Sequence, residues 1–205
     1  WNSTDNQATL ALIIQETAGT SDDIQNVSVT GNVIDPSGSA INPPFAAYIA
    51  GSSTSYIRNV ELSDNVFDGT QGGAFIHRCW GVINIENNTF NGLSSNETSK
   101  TMGTGRGGIL ADTLRGDSAT LDEVELKLVG NTFTACKGRM LSWNPDADST
   151  TAKRSFVCKG NTYDASGASG ALTTGKLVEV LGGATNKRLN KVWVGENRYY
   201  SPPVV

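Results

Sequence analysis

One eight-residue phrase is written six times in this chain: "VSVTGNVI" (27–34), "VELSDNVF" (60–67), "INIENNTF" (83–90), "LKLVGNTF" (126–133), "FVCKGNTY" (156–163) and "VWVGENRY" (192–199). Six asparagines set its register: Asn32, Asn65, Asn88, Asn131, Asn161 and Asn197. Five positions before each stand Val27, Val60, Ile83, Leu126, Phe156 and Val192. Three positions before stand Val29, Leu62, Ile85, Leu128, Cys158 and Val194, and two after stand Ile34, Phe67, Phe90, Phe133, Tyr163 and Tyr199. Every column is apolar or aromatic, and the step of two is the period of a strand with one buried face. The residue before the Asn is Gly31, Asp64, Asn87, Gly130, Gly160 or Glu196. Four of these are Gly or Asn, which tolerate positive φ, so a sharp bend is expected there.

A weaker phrase lies between the copies: "LALII" (10–14), "FAAYIA" (45–50), "GAFIH" (73–77), "GILAD" (108–112), "GRMLSW" (138–143) and "GKLVEVL" (175–181). One unit thus reads as a short strand, a connection, a second strand, a bend at Asn and a variable loop. A lone strand leaves its apolar face wet. Parallel stacking of successive units puts like residues over like residues and buries a continuous core. With strands about 4.8 Å apart, six units make a stack of roughly 29 Å. Stacked amides can hydrogen-bond from unit to unit, which gives the Asn column its reason. A β-sandwich also has many short strands, but it has no need of one residue type at every bend. The expectation is one all-β domain over 1–205, a solenoid of about six coils, with an Asn stack at one bend and long loops on one edge. The polar stretch 91–107 is the longest such loop.

Charged residues make up 18 % of the chain and the net charge is −4, which argues against a nucleic-acid surface built of clustered Lys and Arg. No run of 18 apolar residues exists, so no membrane-inserting helix is expected. Cys79, Cys136 and Cys158 lack metal-ligand spacing, and three cannot all pair within one chain; Cys158 reads as a buried free thiol. Sequon triplets at Asn2, Asn26, Asn87 and Asn96 are attributed to the abundance of Asn, Ser and Thr. The first residue, Trp1, suggests a mature product or a piece of something longer.

The pattern "hxhxxNxF", with two apolar strands per turn, resembles a right-handed parallel β-helix of the pectate-lyase-like class. Low charge, abundant Gly, Asn, Ser and Thr and irregular loops make it most similar to the β-helical part of a bacteriophage tailspike. The resemblance implies a virion-tail or otherwise extracellular protein that recognises bacterial surface polysaccharide, with or without glycoside hydrolysis, as a parallel homotrimer. Six coils are few for such helices, which implies a fragment or module of a longer fibre. The alternative is a non-catalytic structural or receptor-binding module, and a secreted polysaccharide lyase or hydrolase stands third. Lyase chemistry of this class needs a calcium-binding acidic cluster. Asp146 and Asp148 in "DADS" are too few for calcium alone, so no metal and no cofactor is expected.

β-Helix carbohydrate enzymes place acids on an outer face. The outward positions four before the Asn are Ser28, Glu61, Asn84, Lys127, Val157 and Trp193; those two before are Thr30, Ser63, Glu86, Val129, Lys159 and Gly195. Glu61 and Glu86 would lie on adjacent coils, about 8 Å apart along the backbone, inside the range that admits a water between two carboxylates in an inverting glycosidase. Asp112 is a third candidate acid. Aligning the short strands on Gly73, Gly108, Gly138 and Gly175 places His77, Asp112, Ser142 and Glu179 in one polar row, flanked by Arg78 and Arg115. His77 is the sole histidine, the side-chain type suited to proton transfer near neutral pH. Trp80 and Trp143 offer indole platforms for sugar rings. His77, Arg78, Trp80, Arg115 and Trp143 are therefore the expected substrate contacts. Each has a plainer reading: solvated carboxylates on a sheet face, a polar strand end, and indoles in the core. Val129, Val157 and Trp193 form a late apolar stripe suited to a subunit contact, and 198–205, with Pro202 and Pro203, reads as a cap or contact tail.

Overall fold

A computed structural model describes residues 12–15, 24–35, 45–52, 55–70, 72–93, 108–112, 114, 123–136, 139–144, 153–166, 177–180, 189 and 191–200. Each repeat yields three strands. The first gives β1 (Leu12–Gln15), β2 (Ile24–Thr30) and β3 (Val33–Ile34), and the second β4 (Ala47–Ala50), β5 (Ile57–Ser63) and β6 (Val66–Asp68). The third gives β7 (Ala74–His77), β8 (Cys79–Glu86) and β9 (Thr89–Asn91), and the fourth β10 (Ile109–Asp112), β11 (Glu123–Val129) and β12 (Thr132–Thr134). The fifth gives β13 (Leu141–Asn144), β14 (Lys153–Lys159) and β15 (Thr162–Asp164), and the sixth β16 (Val178–Val180), β17 (Lys191–Gly195) and β18 (Arg198–Tyr200). Corresponding strands join into three parallel sheets of six, and the described residues contain no helix. This all-β arrangement is consistent with a β-solenoid.

The repeated phrases predict two strands per unit; the third arises at the bend. Gly31, Asp64, Asn87, Gly130, Gly160 and Glu196 all have positive φ, from 55° to 70°. One residue beyond, the backbone turns back to extended form, and a strand of two or three residues follows, too short to show a period of its own. Its central residue is the aromatic column. Phe67, Phe90, Phe133 and Tyr163 are fully buried, with successive ring centroids 5.1, 4.6 and 6.1 Å apart. Residues 198–200 form β18 and pair with β15 in this sheet; 201–205 lie outside the described residues.

The middle sheet aligns the apolar columns residue for residue: Val60 faces Ile83, Ile83 faces Leu126, and Leu126 faces Phe156. At the bend the amides bond in sequence. Asn65 Oδ1 accepts from Asn32 N and Nδ2 (2.9 and 3.0 Å), Asn88 Oδ1 from Asn65, Asn131 Oδ1 from Asn88, Asn161 Oδ1 from Asn131, and Asn197 Oδ1 from Asn161. Each Nδ2 from Asn65 onward also donates to a main-chain carbonyl of the preceding repeat, such as Ile85 O for Asn131 (2.8 Å). A buried polar group is thus satisfied on every side, which is the condition for its burial.

The glycines that open the short strands answer to the aromatic column. A Cβ on Gly108 would lie 2.2 Å from Phe133 Cε1, and one on Gly73 2.4 Å from the Phe90 ring. Outside the first sheet sits a second apolar cluster of Phe45, Tyr48, Ala50, Phe75 and Leu110, all buried. Cys79, Cys136 and Cys158 are buried free thiols.

Candidate functional site

Strand alternation brings Ser28, Glu61 and Asn84 side by side on the outer face of the middle sheet, with Thr30, Ser63 and Glu86 as the next row. Ser28 Oγ donates to Glu61 Oε2 and Ser63 Oγ to Glu61 Oε1, both at 3.0 Å. Thr30 Oγ1 closes the ring, 3.1 Å from Ser28 Oγ and 3.2 Å from Ser63 Oγ. Glu61 is therefore held in place by two hydroxyls, with the Thr30 hydroxyl set between them. Glu86 stands opposite Ser63 on the neighbouring strand, two residues along from Glu61. Beside Glu61 lies a cavity of about 240 Å³ lined by Asn26, Ser28, Asn59, Val82 and Asn84 among others. Asn84 Oδ1 is buried there with no hydrogen-bond partner.

A second cavity of about 430 Å³ adjoins it, sharing Asn59 and Val82, and extends past Arg58, Trp80, Glu125 and Lys153. A bulge makes it. Between Arg58 and Val60 the pairing slips by one residue, so that Gly81 and Val82 oppose Asn59. Asn59 Oδ1 accepts from Val82 N at 3.1 Å, and Asn59 Nδ2 donates to Asn26 Oδ1 at 3.0 Å. Gly81 has φ +76°, and a Cβ there would meet Asn59 Oδ1 at 2.4 Å. Bulges re-aim side chains; this one sets Arg58 across from Trp80, with the guanidinium carbon 4.6 Å from the ring centroid. Trp80 is only 8 % exposed and its Nε1–H has no hydrogen-bond partner. At the far rim Lys153 Nζ meets Glu123 at 2.7 Å. That hydrogen bond and the lysine charge hold Glu123 below the usual carboxylate range, and the reverse effect raises Lys153.

The remaining expected contacts sit elsewhere. His77 and Asp112 are register partners at the end of the first sheet, Nδ1 to Oδ2 3.4 Å, each about three-quarters buried. His77 also stacks on Phe75 at 5.6 Å. Asp112 thus lies on a different sheet from Glu61 and Glu86, and the three acids do not converge. Ser142 is not in this row: it pairs with Leu110, while Asn144 faces Asp112, because the fifth short strand starts two residues later than its glycine implies. Arg78, at the corner between β7 and β8 with φ +51°, spends its Nη1 on Ser52 O. Trp143 is a correction. It is fully buried in the inward row after Ala111, 5.8 Å from Phe156, so its ring fills space that the small alanine leaves and offers no face to a sugar. Trp80 is likewise not an open platform, since Arg58 covers it. Arg115, Asp146 and Asp148 lie outside the described residues. Of the late apolar stripe, Val129 and Val157 are half-buried, and Trp193 is 50 % exposed with Lys159 Nζ 5.1 Å from its ring.

Nothing in the repeat columns marks Arg58, Asn59, Glu123, Lys153 or the buried Arg154 as site residues. A signal for the first two exists: Asn26 and Asn59 each stand six before a bend asparagine, a short second Asn column. Compared with protein families, curated proteins and solved structures, the chain finds no match in any of the three.

Proposed function

We propose that the chain is a right-handed parallel β-helix of six coils, of the tailspike-like kind, that binds bacterial surface polysaccharide along the outer face of its middle sheet. The observation that carries this is the pair of adjoining open cavities, together about five strands wide from β2 to β14. At about 4.8 Å per strand the groove is some 20 Å long, room for several sugar units. Its lining alternates hydroxyls, amides, charged ends and one indole, the mixture that sugar rings with polar rims and apolar faces require. A polysaccharide array probed with the full chain, with Glu61→Gln and Trp80→Ala alongside, tests it. Binding weakened by both variants supports the reading; undiminished binding by both removes the groove from it.

Hydrolysis is a second reading, favoured by the two-residue offset of Glu61 and Glu86 on paired strands, about 8 Å by strand geometry. Glu61→Gln and Glu86→Gln would then each lower release of reducing ends by about 10²-fold or more. Binding with no release by the unaltered chain leaves a receptor-binding module. The homotrimer and the virion-tail location follow from the same resemblance. Exposed Trp193 and Val192 on the last repeat are apolar surface of the kind a subunit contact would cover. Sedimentation at several concentrations gives the mass directly.

A further inference from the structure

Within the proposed groove, the Arg58 end has a charge balance unlike the Glu61 end. Both of its carboxylates already face a lysine: Glu123 meets Lys153 at 2.7 Å and Glu125 meets Lys127 at 3.3 Å. Arg58 is exposed and has no carboxylate partner among the described residues; its guanidinium rests on the Trp80 ring. Beneath it the Trp80 N–H is buried and unpaired. An unspent guanidinium, an unspent indole donor and an apolar ring meet in one cavity large enough for a sugar.

We infer that this end of the groove takes a carboxylate-bearing sugar unit, a uronic acid or its equivalent, and that Arg58 selects it. The inference rests on the groove being a glycan site. An exposed cation over an indole is a weak contact. A two-pronged guanidinium–carboxylate pair is stronger and more directional, so an arriving acid draws Arg58 off the ring. The ring face then receives the apolar face of the sugar, and the indole N–H gains access to an oxygen acceptor. Arg58 thus covers the indole when the site is empty and grips the ligand when it is full. A neutral sugar offers nothing to exchange for the stack.

The test follows the Trp80 indole N–H by proton–nitrogen NMR, assigned by its loss in Trp80→Phe. The probes are glucuronate, galacturonate, glucose, galactose and acetate. The expected result is a saturating shift with the two uronates, about tenfold weaker or absent response to the neutral sugars and to acetate, and loss of the uronate response in Arg58→Gln with partial recovery in Arg58→Lys. The response should also weaken with added salt. Equal response to acetate makes this a simple anion site, and equal response to neutral sugars removes the acid selectivity; either overturns the inference. A stationary Trp80 signal while the Asn84 amide moves with any sugar overturns it but leaves the groove as a glycan site. No movement at either end removes both.

Discussion

The fourth and sixth repeats carry the same phrase and meet different fates. In "LKLVGNTF", Leu126, Leu128 and Phe133 are fully buried. In "VWVGENRY", Val192, Val194 and Tyr199, in the same columns and the same register, are 54, 58 and 47 % exposed. The asparagines differ likewise. Asn131 is closed in by bonds to Asn88, Asn161 and Ile85, whereas Asn197, among the described residues, bonds only toward the preceding repeat. The phrase therefore specifies where a strand lies and which way its side chains point. Burial comes from having a neighbour on both sides.

The largest test of that difference is at the ladder. Asn131→Ala removes the acceptor of Asn88 N and Nδ2 and a donor to Ile85 O, and should cost about 4 kcal/mol, since each buried group left unpaired costs ~1–3 kcal/mol. Asn197→Ala, where water reaches, should cost about 1 kcal/mol. Urea unfolding midpoints measure both, and equal losses would break the contrast.

The apolar columns come next. Leu128→Ala should destabilise by about 3 kcal/mol and Val194→Ala by about 0.5 kcal/mol or less. If subunits cover the last repeat, the Val194 loss grows and becomes dependent on protein concentration. Among glycines, Gly108→Ala drives a methyl into Phe133 and should cost about 2 kcal/mol. Gly31→Ala meets nothing within 4 Å and pays only for φ +70°, about 1 kcal/mol. Differential scanning calorimetry ranks the pair.

The last contrast is alkaline. Burial pushes the Cys136 thiol up to about 12 and Cys158 up to about 11. Between pH 9 and these values the unfolded chain has lost protons that the folded chain keeps, so stability falls as pH rises through that window. Cys158→Ser should flatten the part of the slope between pH 9 and about 11 in melts taken across it.

The repeated phrase alone dictates the strand register, the bend and the inward columns, because a period of two recurs in all six copies and a bend residue of Gly or Asn, tolerant of positive φ, in four of them. It also placed Glu61 and Glu86 on neighbouring strands, since alternation and parallel pairing leave no other choice once the asparagines are aligned. The third strand was hidden because three residues carry no periodicity. Trp143 was misplaced because an indole at a strand position reads alike inward or outward until the size of its neighbour, Ala111, is known to matter. The Arg58–Trp80 cavity belongs to tertiary structure alone: it depends on one residue of slippage between β5 and β8, and a bulge is a relation between two strands that neither strand spells out.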